Sequence, residues 1–120
     1  MDRQVYGIEE PIWHCVELWR SVLVQALLDA TQKVRPVKSH ANKASRYRAR
    51  QHNNLIEETR EWFLEPDFHD VCGLAALNPE TLYAIVNVIR ERGWHRDQAL
   101  AALFNLIGRD AKGRQIGRKN

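Results

Sequence analysis

A chain of 120 residues, 44% hydrophobic and 28% charged, fits one domain with a modest core and needs neither metal nor disulfide to fold. No apolar run approaches the roughly 20 residues of a membrane span. Met1-Asp2-Arg3-Gln4 lacks the pattern of a signal peptide, and two cysteines are too few for a disulfide framework, so a reducing cytoplasm is the expected compartment. The net charge of +3 conceals a segregation. Residues 33–50 hold seven bases (Lys33, Arg35, Lys38, Lys43, Arg46, Arg48, Arg50) and no acid, and residues 109–120 hold five (Arg109, Lys112, Arg114, Arg118, Lys119) against Asp110. Six bases then face fourteen acids in the remainder, so the body is acidic and the positive charge sits in two blocks. Blocks of this kind point to a polyanionic partner.

In chain order, residues 1–10 read as irregular, and Pro11 with Glu9 and Glu10 before it suits a helix start. Ile12, Val16, Trp19, Leu23, Ala26 and Leu27 then recur at helical spacing to about Ala30, with Trp13, Val22, Val24 and Leu28 widening the stripe. Residues 31–53 read as a basic loop without apolar periodicity, a length that is normally functional or disordered. Residues 42–52 can extend the next helix backwards if phosphates neutralise Arg46, Arg48 and Arg50. That helix is expected over Asn54–Leu64, capped by Asn54 with Glu57 three residues on, burying Leu55, Ile56, Thr59, Trp62 and Phe63.

Pro66 stops it, and Asp67 reads as a new N-cap with Asp70 in the third helical position. Helices are expected over about 68–76, 79–92 and Arg96 to Ile107, with Gly93 and Gly108 as left-handed C-terminal caps. Ala99, Leu100, Leu103, Phe104 and Ile107 give the last its apolar face. The fold expected is all-α: a compact domain of about five helices over residues 1–108, followed by a flexible basic tail over 109–120.

Residues 67–92 meet the demands of a helix-turn-helix. Cys72 is the small residue needed where the second helix crosses the first, Ala76-Leu77-Asn78 makes the turn, and Leu77 points inward. Asn78 caps the second helix, Pro79 takes its first position, and Leu82, Ile85, Val86 and Ile89 run inward. The outward residues follow by subtraction. Asn78, Glu80, Thr81, Tyr83, Ala84 and Asn87 are the candidate base contacts, since this half of such a helix enters the major groove. Glu80 suits a cytosine amino group, Asn87 an adenine edge and Ala84 a thymine methyl, while Thr81 and Tyr83 also suit phosphate. Candidate phosphate contacts are Lys38, Lys43, Arg46, Arg48, Arg50, Arg90, Arg114, Arg118 and Lys119.

The stretch resembles the helix-turn-helix family of bacterial and phage regulators over about 24 of the 120 residues. Ala76 departs from the pattern, because the family usually has Gly at that turn position, and a left-handed Ala costs more. Trp19 to Leu23, Arg60-Glu61-Trp62-Phe63 and Asp67 to Cys72 also resemble small proteins of prophages and of bacteria bearing gene-transfer agents. That resemblance implies transcriptional regulation of phage-like genes.

Double-stranded DNA is therefore the expected partner, with RNA polymerase or another regulator and a second copy of the chain as further ones. A phage DNA-packaging subunit and a protein-interaction adaptor, docking through Glu57, Glu58, Glu61 and Glu65, are the alternatives. His69 with Cys72, and His14 beside Cys15, fall short of the four ligands of a structural zinc site, so no metal is expected. No phosphate loop, nucleophile elbow or catalytic carboxylate pair is visible, so neither a cofactor nor an enzymatic activity is expected.

Overall fold

The computed structural model describes the backbone of residues 2–109 and the side chains of residues 15–109. Five helices follow one another: α1 (Asp2–Ala30), α2 (Lys43–Trp62), α3 (Pro66–Leu74), α4 (Pro79–Glu91) and α5 (Gln98–Ile107). The helix expected from Ile12 starts ten residues earlier, with Pro11 in its interior. Val5 and Ile8 stand at three-to-four spacing from Ile12, so the apolar stripe continues backwards. Pro11 removes one backbone bond without ending the pattern.

The second correction concerns residues 43–53, expected as loop. They form the first half of α2, whose cap is Asn42 and not Asn54: the Asn42 Oδ1 accepts from the Ser45 amide at 2.7 Å. This half has no apolar face because little lies against it; Ala49 is its one buried residue. Only residues 31–42 remain as the connection, and α2 holds them down. The Asn53 side chain accepts from the Arg35 amide and donates to the Arg35 carbonyl, both at 2.8 Å, and the His52 Nε2 lies 3.0 Å from the Lys33 carbonyl oxygen. Further along α2, Ile56 and Phe63 are buried, Thr59 and Trp62 half-buried, and Leu55, expected inside, is 64% exposed.

Pro66 opens α3 where it was expected to end the previous helix. Proline suits the first helical turn, and Glu65 precedes it without a side-chain cap bond. Three helices then end alike. Leu77 N donates to Cys72 O, Trp94 N to Ile89 O and Arg109 N to Phe104 O, each at 2.9 Å and each spanning six residues. These are Schellman ends, which need a left-handed residue. Gly93 (φ 89°) and Gly108 (φ 87°) supply it as expected, and Ala76 (φ 58°) does so without being glycine. Asn78 caps α4, its Oδ1 accepting from the amides of Glu80 (2.9 Å) and Thr81 (3.2 Å). α5 starts at Gln98, with Asp97 as cap, two residues after the expected Arg96.

α1 packs on α2, α3 and α5, and α4 packs on α3 and α5. Leu23, Leu27, Phe63, Phe68, Cys72, Val86, Ile89, Leu103 and Ile107 form the centre of the core. Trp62, Phe63, Phe68 and Trp94 meet at centroid distances of 5.2–5.8 Å, mostly edge to face, each pair adding about 0.5–1.5 kcal/mol beyond area burial. Trp94 is buried just past the end of α4, against Phe63.

Four arginines, Arg20, Arg60, Arg96 and Arg109, serve the fold. The last carbonyls of a helix lack partners and carry partial negative charge, so a guanidinium satisfies both needs. Arg20 donates to Ala75 O (2.9 Å) and Ile107 O (3.4 Å), at the ends of α3 and α5. Arg60 donates to Ala30 O (2.8 Å) and Arg96 to Leu28 O (3.1 Å), at the end of α1. Arg109, expected as the first cation of a flexible tail, is 4% exposed and pairs with Glu17 at 2.6 Å. Burial fixed its role; the sequence showed only its charge.

Candidate nucleic-acid interface

The direction of α2 decides what its basic half can touch. Arg60 reaches the end of α1 at Ala30, and Trp62 faces Trp19 and Val22 across a groove, so α1 and α2 run antiparallel. Residues 43–53 therefore overhang the end of α1, with residues 33–38 pinned alongside by His52 and Asn53. Lys33, Arg35, Lys38, Lys43, Arg48 and Arg50 are exposed on this overhang and Arg46 half-buried, with no carboxylate in residues 30–56. Two of the seven are held locally, Arg46 by the Ser39 carbonyl oxygen (2.9 Å) and Arg48 by the Ser45 hydroxyl (3.5 Å). Among them stands Tyr47, 61% exposed, whose hydroxyl accepts from Gln51 Nε2 at 2.7 Å. Tyr47 was missed as a candidate; an aromatic inside Arg46-Tyr47-Arg48-Ala49-Arg50 is the signal that marks it.

The outer face of α4 is different in kind. Glu80, Thr81 and Ala84 are exposed, whereas Tyr83 and Asn87 are half-buried. The Tyr83 ring leans on His69 (5.8 Å) and Phe68 (6.4 Å), and the Asn87 amide oxygen accepts from Arg90 Nη2. The Asn78 amide oxygen is occupied in capping. Val88 is exposed beside them. From Glu65 to Ile89 there is no lysine or arginine, while Glu65, Asp67, Asp70 and Glu80 are all exposed. The two candidate surfaces do not adjoin. Arg20 ties the end of α3, from which a short turn leads into α4, to one level of α1, and Arg60 links Trp94, just past the end of α4, to Ala30, about 15 Å further along. The overhang begins beyond that second level. Arg114, Arg118 and Lys119 lie outside the described residues.

Cys72 is fully enclosed, and burial pushes its thiol up to about 11 from the ordinary 9.0, so it stays protonated at neutral pH. His69 is exposed with its ring beside Phe68 and Tyr83, and among the described residues no three His, Cys, Asp or Glu side chains gather. No helix among the described residues is long and apolar enough to cross a membrane. Comparison of the chain with protein-family models, with curated proteins and with solved structures finds no match.

Proposed function

We propose that the chain binds duplex DNA, with the basic overhang of α2 on the phosphate backbone and the exposed start of α4 at base edges, in the service of transcriptional control. One observation carries the reading: seven bases and no acid on a helix-and-loop unit that projects past the core, on a body otherwise acidic. Phosphate contacts supply most of the affinity in such complexes and position the element that reads sequence. The four carboxylates around α3 and α4 repel a backbone, so α4 depends on the overhang for its affinity. Asn87 reads a base only after releasing Arg90, which then becomes available to a phosphate.

The test is fluorescence anisotropy of a labelled mixed-sequence duplex against salt. The triple variant Arg46→Ala, Arg48→Ala, Arg50→Ala is expected to weaken binding and to flatten the slope of log K against log salt by about 2–3, close to one per lost phosphate contact. Unchanged binding removes the overhang from the reading. Asn87→Ala is expected to change the sequences selected from a random duplex pool; an identical selection removes α4.

A further inference from the structure

An apolar cavity lies on the side of α1 that faces α2 and α3. Between α1, α2 and α3 an open groove of about 660 Å³ has Trp19, Val22, Ala26, Trp62 and Val71 as its floor. Val22 is 36% exposed there, although the apolar stripe of α1 places it with the core. Four carboxylates, Asp29, Glu58, Asp67 and Asp70, stand on its rim. None of the four is in a salt bridge with a described residue. An apolar floor under an unneutralised acidic rim fits a segment that carries a bulky aliphatic side chain between cations.

We propose that this groove is the docking site of the chain's own C-terminal segment, residues 110–120. That segment holds Ile116 as its one large aliphatic residue, with Lys112 and Arg114 before it and Arg118 and Lys119 after it. Four cations thus meet four carboxylates around one apolar anchor. The starting point is fixed: Arg109 is pinned to Glu17 and to Ser21 Oγ on α1, the helix that forms the groove's wall. Seven residues of extended chain reach about 23 Å, against a helix diameter of about 10–12 Å with side chains. Ile116 therefore spans the way round α1 with length to spare. The tether raises the local concentration of the segment to about the millimolar range, so a contact too weak to hold two separate molecules is occupied within one. The proposal stands without DNA, and it holds the tail's cations on the body when no stronger polyanion is present.

The test uses the full chain with Cys15→Ser and a nitroxide on Gln115→Cys; the enclosed thiol of Cys72 does not label. The amide NMR signals of Trp19, Val22 and Val71 are expected to broaden at about 0.15 M salt and to recover at about 1 M, where the screening length falls from about 8 Å to about 3 Å. Recovery is also expected in the labelled chain with Ile116→Ser, and with Asp67→Asn and Asp70→Asn together. Broadening confined to the end of α5, spread evenly over the surface, or unaffected by both sets of substitutions overturns the proposal. A mixture of labelled unenriched chain and unlabelled isotope-enriched chain gives the last control. Groove signals that broaden only there assign the site to a second copy and overturn it as well.

Discussion

Arg20 Nε lies 2.9 Å from the Ala75 carbonyl oxygen, a bond that joins the middle of α1 to the end of α3 across 55 residues. The same guanidinium reaches Ile107 O at 3.4 Å, so one side chain closes two helix ends. Hydrogen bonds to a charged donor contribute about 1.5–3 kcal/mol each when part-buried carbonyls would otherwise go unpaired. Arg20→Ala is expected to lower the unfolding free energy by about 2–4 kcal/mol in urea titration. Arg20→Lys recovers only part of it, because a single ammonium cannot fork between two carbonyls. An unchanged urea midpoint in Arg20→Ala refutes the assignment.

The turn before α4 makes an opposite prediction. Ala76 holds φ 58°, a conformation that costs an L-residue about 1–2 kcal/mol and glycine almost nothing. After the extra chain entropy of glycine is subtracted, Ala76→Gly is expected to stabilise by about 0.5–1 kcal/mol. Thermal unfolding measures it as a rise of a few degrees. A fall in the midpoint refutes the strain argument.

Asn53 tests the overhang separately from the core. Its amide makes both bonds to the Arg35 backbone, at 2.8 Å each, outside any buried cluster. Asn53→Ala is expected to speed hydrogen exchange at the Arg35 amide by about tenfold, equivalent to about 1.4 kcal/mol of local protection, with little change in global unfolding. Loss of global stability instead places residues 33–38 in the folding core.

Cys72 gives a pH dependence with a definite sign. Its thiol ionises near the ordinary 9.0 in the unfolded chain and only at about 11 in the folded one. The unfolded state therefore sheds its proton first, and stability present below pH 9 declines as pH rises towards 11, by up to about 3 kcal/mol. Cys72→Ala is expected to unfold more easily at pH 7, since it leaves a small cavity, yet to lose much less between pH 9 and 11. Parallel stability profiles for the two proteins refute the linkage.

The elements that bury an apolar face were legible in the sequence. The stripe from Trp19 to Leu27, the Asn78 cap, the glycines at 93 and 108 and the inward Leu82, Val86 and Ile89 all stand where periodicity and end signals put them. The first half of α2 was not legible. A helix that projects past its neighbours has no face to bury, so its residues show no 3.6 period, and only the Asn42–Ser45 cap marks its start. Nor did charge reveal purpose. Arg20, Arg60, Arg96 and Arg109 look like any surface cation in sequence, and their partners are carbonyls and a carboxylate brought near only by folding. At the candidate interface the sequence showed the cluster of basic residues but not that Lys43, Arg46, Arg48 and Arg50 share a helix, and Tyr47 among them was not singled out.

The α2 overhang has one more property. Lys43, Arg46 and Arg50 stand at helical spacings of three and four, next to a first turn that has no acid. Like charges at these spacings, set against the positive end of the helix dipole, each oppose the helix by a few tenths of a kcal/mol, about 0.2–0.5 per pair. Added salt relieves this self-repulsion and firms the unit, while the same ions weaken its hold on any polyanion. The two effects have opposite sign, so if the overhang binds a polyanion as proposed, a plot of its affinity against salt bends over at low ionic strength, where the helix start frays.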